Sequence, residues 1–313
     1  MENWRKDIRE NLKLEGKLLL EEQIAPYTTF RIGGRVSAFL EPESIDDVLK
    51  LAEFLNTHPD VEYQILGGGS NVLYPDHYKG LVIHLGKALS QIAKKGDSIT
   101  VGAGIAMHKV VVESARWNLS GIEFMAGIPG SIGGAIKGNA GAFRHCISEK
   151  LEIIKGIDLK DASEKVFEKK QISWGYRSSN IPDSFLITEV TLTLNKDNEK
   201  KSFIEIERIL KLRKDKHPQK PSAGSVFLNP EPPKVIAGRL IEQLGFKGRR
   251  IGDAMCSPMH ANFIVNTGEA TQKDVLDLIN EIKRAVAKSF GIQLREEIKI
   301  IRNKEQQMEE NNG

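Results

Sequence analysis

The sequence predicts an α+β protein, with a glycine-rich N-terminal half of interleaved helices and strands and a smaller, helix-rich C-terminal domain. Three observations carry that expectation. Helical and strand periodicities alternate along the chain instead of falling into separate blocks. Glycines cluster in Gly67-Gly68-Gly69-Ser70-Asn71, directly after a strand pattern, and again from Gly127 to Ala135. A charged, turn-prone stretch, residues 195–201 (NKDNEKK), separates a strand pattern from three helical ones.

Taken in order, Ser44 is placed to cap a helix with Asp47 three residues on, and Ile45, Val48, Leu49, Ala52 and Leu55 follow on one face. Residues 63–66 form a short buried strand that runs into the first glycines, and residues 81–85 and 98–101 read as further strands. Met107, Val110, Val111, Ser114 and Ala115 give a second helical face. Residues 186–194 alternate like a half-buried strand. Beyond the charged stretch, Ser202 and Glu205 form a capping box for a basic helix. Pro233 starts another helix, which Gly245 ends. Thr271 and Asp274 cap a third, with Val275, Leu278, Ile279 and Ile282 on its face and Gly291 at its end.

Composition narrows the class. The 313 residues are 40% hydrophobic and 28% charged, as in globular proteins, and the length suits two or three domains. With 45 basic and 42 acidic side chains the net charge is +3, too balanced for a nucleic-acid-binding surface, so attraction for phosphate must be local. Cys146 and Cys256 lie far apart, and the seven histidines lack metal-ligand spacing, so neither a disulfide framework nor a metal site is expected. The first ten residues are charged, with no apolar signal core, and no run is long enough to span a membrane. The expectation is a cytoplasmic protein without a membrane partner. The polar tail, 303–313, is expected to fray.

The glycine segments carry the chemistry. Successive glycines let backbone N–H groups converge on an anion, and Ser70 and Asn71 add donors. Gly127-Ile128-Pro129-Gly130-Ser131-Ile132-Gly133-Gly134-Ala135 is denser in glycine than a packed core needs, and Asn139-Ala140-Gly141 follows. Any one cluster can be a tight turn. Three within one domain point to a large phosphate-bearing cofactor approached by backbone. Pro75 argues against the helix a Rossmann site requires after its glycines, and no G-K-[ST] of a P-loop is present.

Further motifs complete a resemblance. Residues 27–34 (YTTFRIGG), the two glycine-rich segments, Tyr176-Arg177-Ser178-Ser179, residues 222–230 (SAGSVFLNP), His260-Ala261-Asn262-Phe263 and Leu294-Arg295-Glu296-Glu297-Ile298 occur in one order. Together, over about residues 24–301, they resemble the UDP-N-acetylenolpyruvoylglucosamine reductase family, in its branch lacking an extra tyrosine-bearing loop. The resemblance implies a two-lobed FAD-binding domain of the vanillyl-alcohol-oxidase type at 24–197, a substrate-binding domain at 202–302 and an N-terminal extension at 1–23. It implies bound FAD, NADPH as reductant, a UDP-sugar enolpyruvyl ether as substrate and a monomer that reduces the enolpyruvyl group in peptidoglycan precursor synthesis. FAD contacts are expected from Arg31, Gly67, Gly68, Gly69, Ser70 and Asn71, from Gly127, Ile128, Pro129, Gly130, Ser131, Gly133, Gly134 and Ala135, and from Asn139, Ala140 and Gly141. Four positions depart from the family pattern: Gly138, Arg144, Leu228 in place of a lysine, and Asp253 in place of a glycine.

For catalysis the resemblance implies Arg177, Ser225 and Glu297. Hydride addition to an enolpyruvyl double bond piles negative charge on the carboxylate, and a guanidinium can hold it through two hydrogen bonds. Glu297 must be protonated, or share a proton, to help there. Ser225 is the implied proton donor, which requires a stabilised conjugate base. Read without the resemblance, Arg177 is a surface arginine, Glu297 one polar residue on an alternating strand, and Ser225 a turn hydroxyl. Tyr176, Arg213, Asn229 and His260 are the expected substrate contacts, and Lys216, His217 and Lys220 extend a basic stretch that either draws in a diphosphate or ends a solvated helix. The competing readings are an FAD-dependent oxidase of the same fold and a non-catalytic flavin- or sugar-nucleotide-binding regulator.

Overall fold

A computed structural model describes residues 3–305 other than Pro233. The chain forms two compact units interleaved in sequence: Met1–Glu21, Ser37–Gly68 and Gly80–Leu212 make the first, and Glu22–Val36, Gly69–Lys79 and Arg213–Gly313 the second. Residues 24–36 and 69–79, expected with the cofactor-binding half, cluster with the C-terminal residues.

The two larger sheets of the first unit have four and five strands. One has the spatial order Lys17–Gln23, Arg35–Glu41, His77–His84, Tyr63–Leu66, the last two strands running parallel with Tyr63 opposite Leu81. The other is antiparallel: Ser163–Glu168, Leu151–Asp158, Phe185–Thr193, Ser98–Gly102, Ile92–Lys95. Helices α1 (Asn3–Asn11), α2 (Ile45–Thr57), α3 (Met107–Arg116) and α4 (Ile132–Lys137) belong to this unit, and α5 (Ser202–Lys216) begins in it. Leu51, Ile83, Val101, Ile157, Leu186 and Val190 are fully or almost fully buried in its core. The buried residues of α3 are the five that periodicity selects. Ser44 caps α2 by accepting from the Asp47 amide at 3.2 Å. Its buried arc is rotated toward Leu51 and Phe54, and Ile45 is 37% exposed.

Two local readings change. Residues 3–23 of the N-terminal extension join the fold, because α1 buries Ile8 in the core and Lys17–Gln23 is a sheet strand. The tie is the fully buried carboxylate of Asp47, which accepts from the amides of Glu15 (2.9 Å), Gly16 (2.8 Å) and Glu43 (2.9 Å). Burial pushes this carboxyl up, but the three amides outweigh it and hold it below its ordinary range. Nor do Ser202 and Glu205 form a capping box. Asp197 brings a charged acceptor to the amides of Lys201 (3.0 Å) and Ser202 (2.8 Å), the Ser202 hydroxyl donates to Glu123 (2.6 Å), and Glu205 pairs with Arg208.

The second unit has an antiparallel sheet in the order Ser222–Ser225, Phe263–Asn266, Ala254–Cys256, Arg250–Ile251, and a parallel pair, Val72–Leu73 with Lys299–Ile300. Its helices are α6 (Ala237–Gln243) and α7 (Gln272–Phe290). Thr271 and Asp274 form the expected capping box on α7, and Gly291 ends it in the left-handed region (φ 69°). Gly245 (φ 75°) follows α6. The expected helix start at Pro233 lies outside the described residues. Phe30, Ile32 and Leu73 from the two early segments share a core with Val226, Phe227, Leu278 and Ile298. The expected frayed tail is pinned at its start, because Asn303 is buried, accepts from the Lys79 amide (2.8 Å) and donates to the His77 carbonyl (3.0 Å). Residues 306–313 lie outside the described residues.

Candidate functional site

In the first unit the two glycine segments meet. A Cβ at Gly68 would stand 2.6 Å from the Gly130 Cα, and one at Gly133 would stand 2.9 Å from the Ala103 Cβ. Packing of loop on loop therefore demands these two glycines whatever else they do. Gly127 (φ 73°) and Gly130 (φ 115°) hold conformations that side chains rarely adopt. Ser131 caps α4, its hydroxyl accepting from the Gly134 amide, while the Ile132 and Gly133 amides go to the carbonyls of Ile105 and Ala103. The start of α4 is thereby committed to the protein. Gly68, Gly127, Pro129 and Gly134 remain exposed, a backbone surface with hardly a side chain on it.

Arg177 lies in the same unit, second residue of the two-residue loop between Trp174–Gly175 and Ser178–Ser179. Its φ of 56° is left-handed, a strained setting for a residue with a Cβ. Its guanidinium sits over the Tyr176 ring, 5.4 Å from the centroid, and Nη1 is 3.1 Å from where a Cβ of Gly141 would be. Tyr176 is 46% exposed, as a substrate contact requires. Asn139, expected to touch the cofactor, is buried, and its side-chain amide donates to the Gly175 carbonyl at 2.9 Å.

The second unit pairs the backbone segments that carry Ser225 and Glu297. The Glu297 amide donates to the Val226 carbonyl at 2.7 Å, so the two side chains stem from adjacent, paired segments, and Phe227 bridges to Glu296. Asn262 fixes this register from the other side, its side chain bonding both the amide (3.0 Å) and the carbonyl (2.8 Å) of Phe227. Asn71 belongs here: its Nδ2 donates to the Glu297 carbonyl (3.0 Å) and its own carbonyl accepts from Lys299. Arg31 is exposed and left-handed (φ 57°), with its carbonyl accepting from Asn266. The Oδ1 of Asn229 accepts from the Ala237 amide at 3.1 Å, satisfying the start of α6.

His260 packs edge-on against Phe263 (4.8 Å) and His217 (5.8 Å). Its Nδ1 accepts from the Asn262 amide at 3.2 Å, which leaves the proton of the neutral ring on Nε2. Burial, then nearby Lys247, lowers its pKa. His217 is pushed down to about 4 by burial, Arg213 and His260, in that order. Both imidazoles are therefore neutral donors at pH 7. Leu228 leaves no cation where the family pattern has one. Asp253 accepts from the Glu269 amide (2.9 Å) and pairs with Arg250 (2.8 Å), a structural task.

A family model described as the C-terminal domain of UDP-N-acetylenolpyruvoylglucosamine reductase matches residues 216–301, and an FAD binding domain model matches 36–168. The UDP-N-acetylenolpyruvoylglucosamine reductase of Desulforamulus reducens is 38% identical over 291 residues, covering 92% of this chain and 95% of its own. This chain belongs to the UDP-N-acetylenolpyruvoylglucosamine reductase family. The Bacillus subtilis reductase is 37% identical, covering 91% of this chain and 94% of its own. The crystal structure of the Thermus caldophilus reductase (MurB) aligns with a TM-score of 0.79 at 33% identity, over 93% of this chain and all of that one. As a member of this reductase family with a matching FAD-binding domain, the protein is an FAD-dependent oxidoreductase. The glycine surface of the first unit fits that cofactor, since Gly68 and Gly134 are exposed and a Cβ at Gly134 would meet only the Ser131 hydroxyl, at 3.6 Å. Among the described residues no helix is long and apolar enough to cross a membrane.

A residue that sequence reasoning missed acts on the backbone of these sites: Asn262 on the Ser225 segment. Asn262 stands inside the His260-Ala261-Asn262-Phe263 motif, but only its contact with Phe227, 35 residues away, explains it.

Proposed function

We propose that the protein reduces UDP-N-acetylglucosamine enolpyruvate to UDP-N-acetylmuramate with NADPH, as a cytoplasmic monomer, in peptidoglycan precursor synthesis. The observation that carries this reading is the pairing of the Ser225 and Glu297 segments in a member of this family that also keeps Arg177. The chemistry that bound FAD supplies is hydride transfer, from NADPH to the far carbon of the enolpyruvyl double bond. Exposed backbone at Gly68, Gly127 and Gly134 would hold the cofactor's phosphates.

Hydride addition at the far carbon leaves an enolate-like anion on the substrate carboxylate. Arg177 offers it a permanent charge and a planar pair of donors. Glu297, when protonated, donates a further hydrogen bond to the same developing charge. The Ser225 hydroxyl then gives a proton to the carbon that carries the carboxylate, which completes the addition of one hydride and one proton. Tyr176, Arg213, Asn229 and His260 hold the UDP-sugar, the neutral His260 as a donor through Nε2.

Purified protein should be yellow and release FAD on heat denaturation. Anaerobic NADPH should bleach it, and the enolpyruvyl substrate should restore the colour. Colourless protein that cannot be reconstituted with FAD, or reduced protein that the substrate does not reoxidise, overturns the reading.

A further inference from the structure

We propose that Asn139 is a positioning residue that sets the place of Arg177, which deepens the reading of Arg177 as the group that receives the substrate carboxylate and rests on it. Asn139 is 5% exposed and left-handed (φ 44°), a conformation asparagine tolerates. Both ends of its side chain are engaged within the first unit: Nδ2 donates to the Gly175 carbonyl at 2.9 Å, and Oδ1 accepts from the buried Ser148 amide at 3.4 Å. Gly175 immediately precedes the Tyr176-Arg177 loop. The opposite arm of that hairpin is held by the Ser179 hydroxyl on the Lys137 carbonyl at 2.7 Å. Thus both arms are fastened to the short stretch that runs from α4 to Asn139, directly after the second glycine segment.

The loop needs such fastening. Two paired residues on each side, with a left-handed arginine at the tip, make a hairpin too short to hold itself. The guanidinium lies against the backbone of Gly141, two residues beyond Asn139, and its aim depends on where the Gly175 arm sits. Removing the Nδ2 donor frees that arm to pivot about the Ser179 contact. A misplacement of about 1 Å in a catalytic group costs up to about 100-fold in rate. Asn139 therefore links the glycine segment to Arg177 as one rigid piece.

Asn139→Asp tests this: it keeps the left-handed backbone and the Oδ1 acceptor and replaces the donor with a carboxylate oxygen that faces the Gly175 carbonyl. Stopped-flow absorbance on the FAD-loaded enzyme separates the half-reactions. The variant should keep its FAD and be reduced by NADPH within about twofold of the parent rate, while reoxidation by the enolpyruvyl substrate falls at least about tenfold. In an Arg177→Lys background the same substitution should cost less than about threefold, because its target is already gone. Asn139→Gly, which also keeps the backbone conformation, should repeat the pattern and serves if the carboxylate prevents folding. FAD loss, equal slowing of both half-reactions, or full additivity with Arg177→Lys overturns the positioning role. A silent Arg177→Lys with a slow Asn139→Asp instead removes the arginine from the mechanism, so the two failures are distinguishable.

Discussion

Arg177→Lys keeps the positive charge and removes the planar fork, so it isolates what geometry contributes. Reoxidation of the reduced enzyme by substrate should fall on the order of 100-fold or more, as for loss of other stabilising donors. Stopped-flow traces with unchanged reoxidation would remove Arg177 from catalysis. Ser225→Ala probes the later proton. NADPH should still bleach the flavin at near-normal rate, and only reoxidation should slow. Equal slowing of both phases would make Ser225 structural. His217 gives a pH test. Its folded pKa, about 4, lies below the ordinary imidazole value of 6.5 because of burial, Arg213 and His260. Between those values the unfolded chain binds a proton that the folded chain refuses, so stability falls as pH drops from about 6.5 toward 4 and is unaffected above. Allowing for the half-exposed ring, the loss is on the order of 1 kcal/mol. Unfolding free energies from urea titration of the parent and of His217→Gln at pH 7 and pH 4.5 should diverge by that amount, and parallel changes would refute it.

At the scale of single elements, the glycine loops and one hairpin make the sharpest tests. Gly68→Val would drive a branched side chain into the Gly130 backbone, so it should both part the two glycine loops and empty the flavin site. A variant that retains FAD at parental stoichiometry would show that the surface at Gly68 is not the cofactor's. The two-residue loop between Gly141–Ala142 and His145–Cys146 sets both Phe143 (φ 52°) and Arg144 (φ 68°) in the left-handed region. Such a turn favours glycine, so Arg144→Gly should stabilise the fold by about 0.5–1 kcal/mol in urea titration. Local signals of this kind were legible in the sequence: Ser44 and Thr271 each cap an amide three residues on, and the α3 face follows from spacing alone. Asp47 and Asn139 were not, because their partners lie 31 and 36 residues away. Nor was the cap of α5, where a nearby charged Asp197 outcompetes the serine that a local motif favours.

For the whole molecule, the interleaving of the two units sets the conditions for folding. Residues 213–313 contain the sheet, α6 and α7 of the second unit, yet Phe30, Ile32 and Leu73 of its core come from elsewhere in the chain. Burying each such side chain contributes about 1.5–3 kcal/mol, so their absence removes roughly 5–9 kcal/mol, comparable to the entire stability of a domain. A fragment of residues 213–313 should therefore show no cooperative thermal transition by circular dichroism. A sharp melt would refute the argument. By itself the sequence determined the α+β class, the caps of α2 and α7, the glycine-rich segments and, through motifs kept in order, the family. Those features rest on local backbone preference and on residue types that chemistry restricts. Only the tertiary structure decided that segments 22–36 and 69–79 complete the second unit, that Asn71 bonds the Glu297 backbone, and that some of the glycines serve loop packing. The reason is that a hydrogen bond between residues 71 and 297 leaves no trace in spacing, periodicity or composition.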